Sequence, residues 1–166
     1  MTPREFLAEA ERRLAAAGYA MEPLTLRGVP AVAGRRKTFR VRWFFTQLKT
    51  TVVVCATEGV SAQGWYDFVR DAYGLARLFQ GGLPTGFQSG VGAVPVLAAT
   101  HVDPYAAQAA AEKPRVQWFE GMALPALVDL ATGQVHTHRG TQYVGAIYVP
   151  YLRKQRDLVT SIVATH

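Results

Sequence analysis

The sequence predicts an α+β fold: one mixed β-sheet of about five to six strands with helices packed on it, in the order α-β-β-β-α-β-α-β-β-β-α. Three observations carry this expectation. Residues 52–56, Val-Val-Val-Cys-Ala, are apolar on both faces, the mark of a central strand covered from both sides. Helical periodicity flanks that strand on each side, over 6–17 and 65–76. Strand-like runs then fall in neighbouring pairs early and late in the chain, which favours local hairpins joined into one sheet. With 166 residues, 49% of them hydrophobic and 18% charged, the chain is expected to form a single globular domain over 1–166, and the composition excludes a disordered chain.

The first helix announces itself in Thr2-Pro3-Arg4-Glu5. Thr2 can cap, Pro3 suits the first turn, and Glu5 completes a capping box. Phe6, Leu7, Ala10, Leu14 and Ala17 follow at helical spacing, and Gly18 is placed to end the helix. Residues 24–32 and 36–46 read as strands, with Gln47 and Leu48 as a tight connection to a central strand over 50–56. A helix over 61–79 carries the stripe Trp65, Phe68, Val69, Ala72, Tyr73 and Ala76, and Gly81-Gly82 stop it.

Residues 91–99 read as a strand in which Pro95 requires an edge, a bulge or a late start. Asp103 caps a short Ala-rich helix reaching about 112. Residues 115–120 and 124–130 are strand candidates, and Ala131-Thr132-Gly133 turns the second into a strand over 134–139. Residues 141–149 fit either strand or helix. A last helix begins near Pro150, with Tyr151, Leu152, Gln155, Leu158, Val159 and Ile162 on one side.

Charge is unevenly distributed. The chain has 18 basic and 12 acidic residues, a net of +6. No acid lies between Glu22 and Glu58, a window holding Arg27, Arg35, Arg36, Lys37, Arg40, Arg42 and Lys49. These seven cations leave eleven basic against twelve acidic residues elsewhere, so the window accounts for the whole positive excess. Its centre is RRKTFRVRWFF, residues 35–45. As a strand, it divides into an inward set (Phe39, Val41, Trp43) and a presented set (Arg40, Arg42, Phe44). Arg40 and Arg42 would stand about 7 Å apart, on the scale of charge spacing along nucleic acids. Phe44 could stack a base. Arg35, Arg36 and Lys37 extend the positive field. The plainer expectation is that these arginines face water or pair with Glu9, Glu11, Asp67 or Asp71 on covering helices.

Other candidates are sparser. The stretch 80–92, QGGLPTGFQSGVG, has five glycines but no G-x-x-x-x-G-K-[ST], and it leaves a helix C-terminus, whose dipole repels a phosphate. Gln88 and Ser89 are the polar groups such a loop would present. His136 and His138 share a strand face and could supply two ligands to a metal. A third would have to come from His101, Glu120, Asp129 or His166, so no metal site is expected. Cys55, the sole cysteine, sits in an apolar run and reads as a small core residue. It permits no intramolecular disulfide, which suits a reducing compartment. With neither a secretory leader pattern nor about 18 consecutive apolar residues, a cytoplasmic chain is expected.

By element order alone, the first 110 residues or so are similar to the core of the restriction-endonuclease-like fold. That resemblance implies an acid on the second strand and an acid-x-Lys pair on the third. This sequence offers no acid over 39–45, neither acid nor lysine over 51–56, and Glu58 past that strand's end. It therefore implies an inactive relative.

The expected function is a non-catalytic binding domain that contacts nucleic acid or another polyanion through Arg35, Arg36, Lys37, Arg40, Arg42 and Phe44. The alternatives are a protein–protein or self-association module using Trp43, Phe44, Trp118, Phe119 and Tyr148, and an enzyme with a site at 80–92. No catalytic residue, cofactor or membrane partner is expected, and a homo-oligomer fits the second reading.

Overall fold

The computed structural model describes residues 1–39, 47–79, 89–112, 122–140 and 148–165. Among them, four α-helices and seven strands follow in the expected order: α1 (Pro3–Ala16), β1 (Ala20–Leu26), β2 (Val29–Phe39), β3 (Gln47–Val60), α2 (Ala62–Leu78), β4 (Ser89–Val102), α3 (Pro104–Ala111), β5 (Met122–Ala123), β6 (Ala126–Asp129), β7 (Val135–His136) and α4 (Val149–Thr160). A 3₁₀ turn, Ser161–Thr165, follows. The protein is α+β, with one mixed sheet in the order β1-β2-β3-β4-β6-β7 and β5 beside β4. β1, β2 and β3 form an antiparallel meander, β3, β4 and β6 are parallel, and β7 returns antiparallel to β6. None of the helices among the described residues is long and apolar enough to cross a membrane.

Helices cover both faces. Phe6, Ala10 and Leu14 of α1 and Leu152 and Val159 of α4 pack on Val52, Val54, Val94 and Val96. Trp65, Phe68, Val69 and Ala72 of α2 and Ala106 and Ala110 of α3 pack on Val53, Cys55, Leu97 and Ala99. Val52, Val53 and Val54 are buried to 1% exposure or less, so successive side chains enter opposite cores. Each such burial contributes about 1.5–3 kcal/mol.

Local chemistry sets the helix ends as expected. Thr2 and Glu5 form a reciprocal capping box. Gly18, at φ +83°, ends α1 with its N–H on Ala15 and the Tyr19 N–H on Leu14, a Schellman motif. Ser61 and Asp103 cap α2 and α3 through the amides of Gly64 and Tyr105.

Four expectations are corrected. The strand expected over 24–32 is two strands joined by a two-residue turn. Arg27 and Gly28 both have positive φ, 51° and 81°, as a type I′ hairpin requires. A non-glycine residue in that region costs about 1–2 kcal/mol. Here the Arg27 side chain reaches α2, with Nε 2.6 Å from Asp71 and Nη1 3.3 Å from Asp67. Gln47 and Leu48 belong to β3 rather than to a connection, because Leu48 is buried in the α1–α4 core. Glu58 falls inside β3, at its exposed end, with no lysine two residues on.

The fourth correction concerns Pro95, which lies in β4, an interior strand paired with β3 throughout. The Leu124 and Leu130 amides donate to the Ala93 and Ala99 carbonyls, so odd-numbered β4 backbone groups face the β5–β6 side. Pro95 is therefore opposite the break at Leu124 and Pro125 that separates β5 from β6. A residue with no N–H is tolerated in a central strand because the ladder is interrupted across from it. The strand candidate at 115–120, the glycines 81–82 and most of 141–149 lie outside the described residues.

Two outcomes follow from these contacts. A Cβ on Gly92 would stand 2.7 Å from Leu152 Cδ2, in a core where Leu152 has no exposure. Gly92→Ala is expected to lower unfolding free energy by about 1–3 kcal/mol, measured by denaturant titration. Asp71 titrates below its ordinary 3.8, chiefly through the Arg27 hydrogen bond. A lowered folded-state value means that this contact stabilises the protein above pH 3.8 and stops doing so as pH falls through the folded value. The stability gap between wild type and Arg27→Ala should be constant from pH 5 to 7 and shrink in acid; a gap that widens there would contradict this.

Candidate functional site

β2 brings the first half of the basic run into view. Arg35 pairs with Glu22 at 2.7 Å, and its guanidinium carbon sits 4.3 Å from the Phe79 ring centroid at the end of α2. Both partners of the ion pair are about half exposed, so it contributes little to stability. Arg36 points to the opposite face. It donates to the Ala17 carbonyl at the end of α1, 2.8 Å away, and its guanidinium carbon is 5.9 Å from the Tyr19 ring centroid. Thr38, on the same face, shares a 2.8 Å hydrogen bond with the Tyr151 hydroxyl of α4. Over its described length, the even-numbered face of β2 is thus covered by α1 and α4. Arg40, Arg42, Trp43 and Phe44 lie outside the described residues.

Lys37 is exposed on the odd-numbered face, directly across from Lys49 in the β2–β3 register. Opposed like charges on paired strands cost about 0.2–1 kcal/mol. Arg77, in the last turn of α2, lies toward the same end of the sheet.

Beneath Arg36 is a buried polar group. The Tyr19 hydroxyl donates to Gln155 Oε1 at 2.8 Å, with both residues buried. Burial, more than any neighbour, raises the Tyr19 phenol far above the ordinary tyrosine range, so it stays protonated. This group ties α1 to α4 and is closed to solvent.

His136 lies opposite Leu127, whose side chain belongs to the α2–α3 core. His138 lies past the end of β7, with Nδ1 3.4 Å from the Ala111 carbonyl. Asp129 does not approach them; its Oδ1 accepts from the Ala131 and Thr132 amides within the β6–β7 turn. His101 stands at the other end of the sheet, beside the Glu58 carbonyl. Among the described residues, no three His, Cys, Asp or Glu side chains are grouped to hold a metal. Residues 80–88 with Gln88 are outside the described residues, while Ser89 and Gly90, expected in a loop, begin β4. Trp118 and Phe119 are likewise outside, and Tyr148 packs part-buried on the core. Leu78 and Tyr105 are the most exposed large apolar side chains described, at 77% and 73%.

The fold also assembles a basic hollow that the sequence reading missed. Thr137, His138, Arg139, Arg153, Arg156 and Asp157 line a cavity of 350 Å³ between β7 and α4. The signal was present: no acid occurs from 130 to 156, a second such window that holds Arg139, Arg153, Lys154 and Arg156. Counting the rest of the chain as one block hid it.

No known protein family, curated protein or solved structure matches this chain.

Cys55 lines a smaller, mostly apolar cavity of about 200 Å³ with Leu26, Val29, Phe68 and Leu97 beneath the Arg27 latch. Burial pushes its thiol up to about 11, the opposite of what a nucleophile needs. Iodoacetamide at pH 8 should therefore modify native protein far more slowly than urea-unfolded protein, with the native rate rising toward pH 11. Equal rates at pH 8 would refute the burial argument.

Proposed function

We propose that the protein is a non-catalytic binding domain whose basic sheet end contacts nucleic acid or another polyanion. The reading is supported by one observation above all. Described cations of the two acid-free windows, 23–57 and 130–156, lie toward the end of the sheet where β3, β4 and β6 begin. Lys37, Lys49 and Arg35 come from the first window. From the second come Arg139, Arg153 and Arg156, tied there by the Arg156–Thr137 contact and the Thr137 bond to Pro125, just before β6. Arg27 is the exception, at the far end with Asp67 and Asp71. That far end also carries Glu58, Asp103 and Asp129, against Glu22 beside Arg35 and Glu112 at the end of α3 on the basic side, so charge is biased along the strands. A field of this kind steers an anionic partner toward one end.

The reading includes a reducing compartment, the cytoplasm, on the strength of a single cysteine. Arg40, Arg42 and Phe44 remain part of the proposed contact surface through their place in the chain beside Lys37.

The test is binding of mixed-sequence DNA and RNA by fluorescence anisotropy across a salt series. Log affinity should fall steeply with log salt, and each lost phosphate contact should reduce the slope by about one. Lys37→Glu with Lys49→Glu, and separately Arg40→Glu with Arg42→Glu, should weaken binding, while Glu58→Lys at the far end should not substitute for them. Absent or salt-independent binding at about 50–100 mM salt would sink the reading.

A further inference from the structure

The hollow between β7 and α4 differs from the rest of the basic end in how its cations are arranged. Arg156 is fixed: its side chain is only 13% exposed, Nε and Nη2 lie 3.0 and 2.9 Å from Asp157 Oδ1, and Nη1 lies 3.2 Å from Thr137 Oγ1. Its charge is locally matched by Asp157. Among the described residues, Arg153 and Arg139 have no such match, and the half-buried Arg153 makes one long hydrogen bond, 3.4 Å to the Gly140 carbonyl. Neither Arg153 nor Arg139 pairs with a carboxylate among the described residues. Three guanidiniums and one carboxylate therefore line the cavity.

The surroundings sharpen that imbalance. α4 has no side-chain N-cap and no acid in its first turn, so no carboxylate of that turn meets the positive end of its dipole, just ahead of Arg153. A half-buried cation beside a second cation and a helix N-terminus is unfavourable unless an anion joins it.

We propose that this hollow is an oxyanion site that takes a single phosphoryl group. A tetrahedral anion offers several oxygens to two guanidinium forks, whereas a carboxylate would satisfy one. The inference shares the basic end with the reading above but does not depend on it, since a lone phosphoryl group can arrive on a small molecule or on a nucleic-acid end.

The full chain would be titrated with inorganic phosphate and with phenyl phosphate by calorimetry at about 20 mM salt, where screening is weak, and amide NMR shifts would locate the contact. Saturable one-site binding is expected. Arg139→Gln and Arg153→Gln should each weaken it about tenfold or more, and Arg153→Lys should fall between wild type and Arg153→Gln, keeping charge without the fork. Arg139 is exposed, so its variant keeps the test valid even if Arg153→Gln loosens α4. A 5′-phosphorylated oligonucleotide binding about tenfold tighter than its 5′-hydroxyl twin would assign the phosphoryl group to a nucleic-acid end. Equal affinities, with phenyl phosphate still bound, would assign it to a small phosphomonoester. No saturable phosphate binding, or binding indifferent to both glutamine variants, overturns the proposal even where Lys37→Glu still weakens oligonucleotide binding. Phosphate binding without any oligonucleotide binding would leave the site standing and remove the polyanion reading instead.

Discussion

The parallel pairing of β3 with β4 puts Val52–Val54 and the 94–99 run where neither face of the sheet can meet water. Every larger feature answers to that. Both faces need helices, so α1 and α4 lie on one side and α2 and α3 on the other. α2 and α3 each leave the end of a parallel strand and must run back along it. The long α2 therefore ends near where β3 and β4 begin, the shorter α3 ends beside His138, past the end of β7, and α1 ends at Ala17 beside Arg36. The even spacing of a parallel ladder would normally exclude proline. Pro95 survives because the partner strand on its side is broken at Leu124 and Pro125.

Much of this was legible in the residues. The capping box at Thr2, the glycine at 18, the caps at Ser61 and Asp103, and the doubly apolar 52–56 run are local signals, and local physics decided them. What escaped depended on partners distant in sequence. Nothing near Arg27 says that Asp67 and Asp71, some forty residues on, will hold an arginine in a left-handed turn. Nothing near Pro95 says where a strand thirty residues later will break. Alternation identified two faces of the basic strand, but not that α1 and α4 would cover the one carrying Arg36 and Thr38. Two-residue strands such as β5 and β7 have too few side chains to show a period at all.

The site was half legible for a different reason. An acid-free window is a one-dimensional signal, and it was visible once over 23–57 and overlooked over 130–156. Only the fold shows that the two windows meet, where Tyr151 at the start of α4 bonds Thr38 of β2. Folding also removes cations from consideration. Arg27 belongs to a structural latch, and Arg36 to a helix end.

Helix C-termini carry partial negative charge and favour nearby cations by about 0.3–1 kcal/mol. Arg36 at Ala17 and Arg77 in the last turn of α2 meet this need, and Arg35 also has Glu22 and the Phe79 ring. Cations near β2 thus have reasons to be there in the folded chain alone. Arg153 has the reverse relation to its helix. It sits in the N-terminal half of α4 and pairs with no carboxylate among the described residues, while Asp157 answers for Arg156 in the C-terminal half. Charges that the fold itself disfavours are stronger pointers to an absent anion than charges that the fold employs. On that criterion the weight of evidence moves from the arginines of β2 to the hollow beside α4.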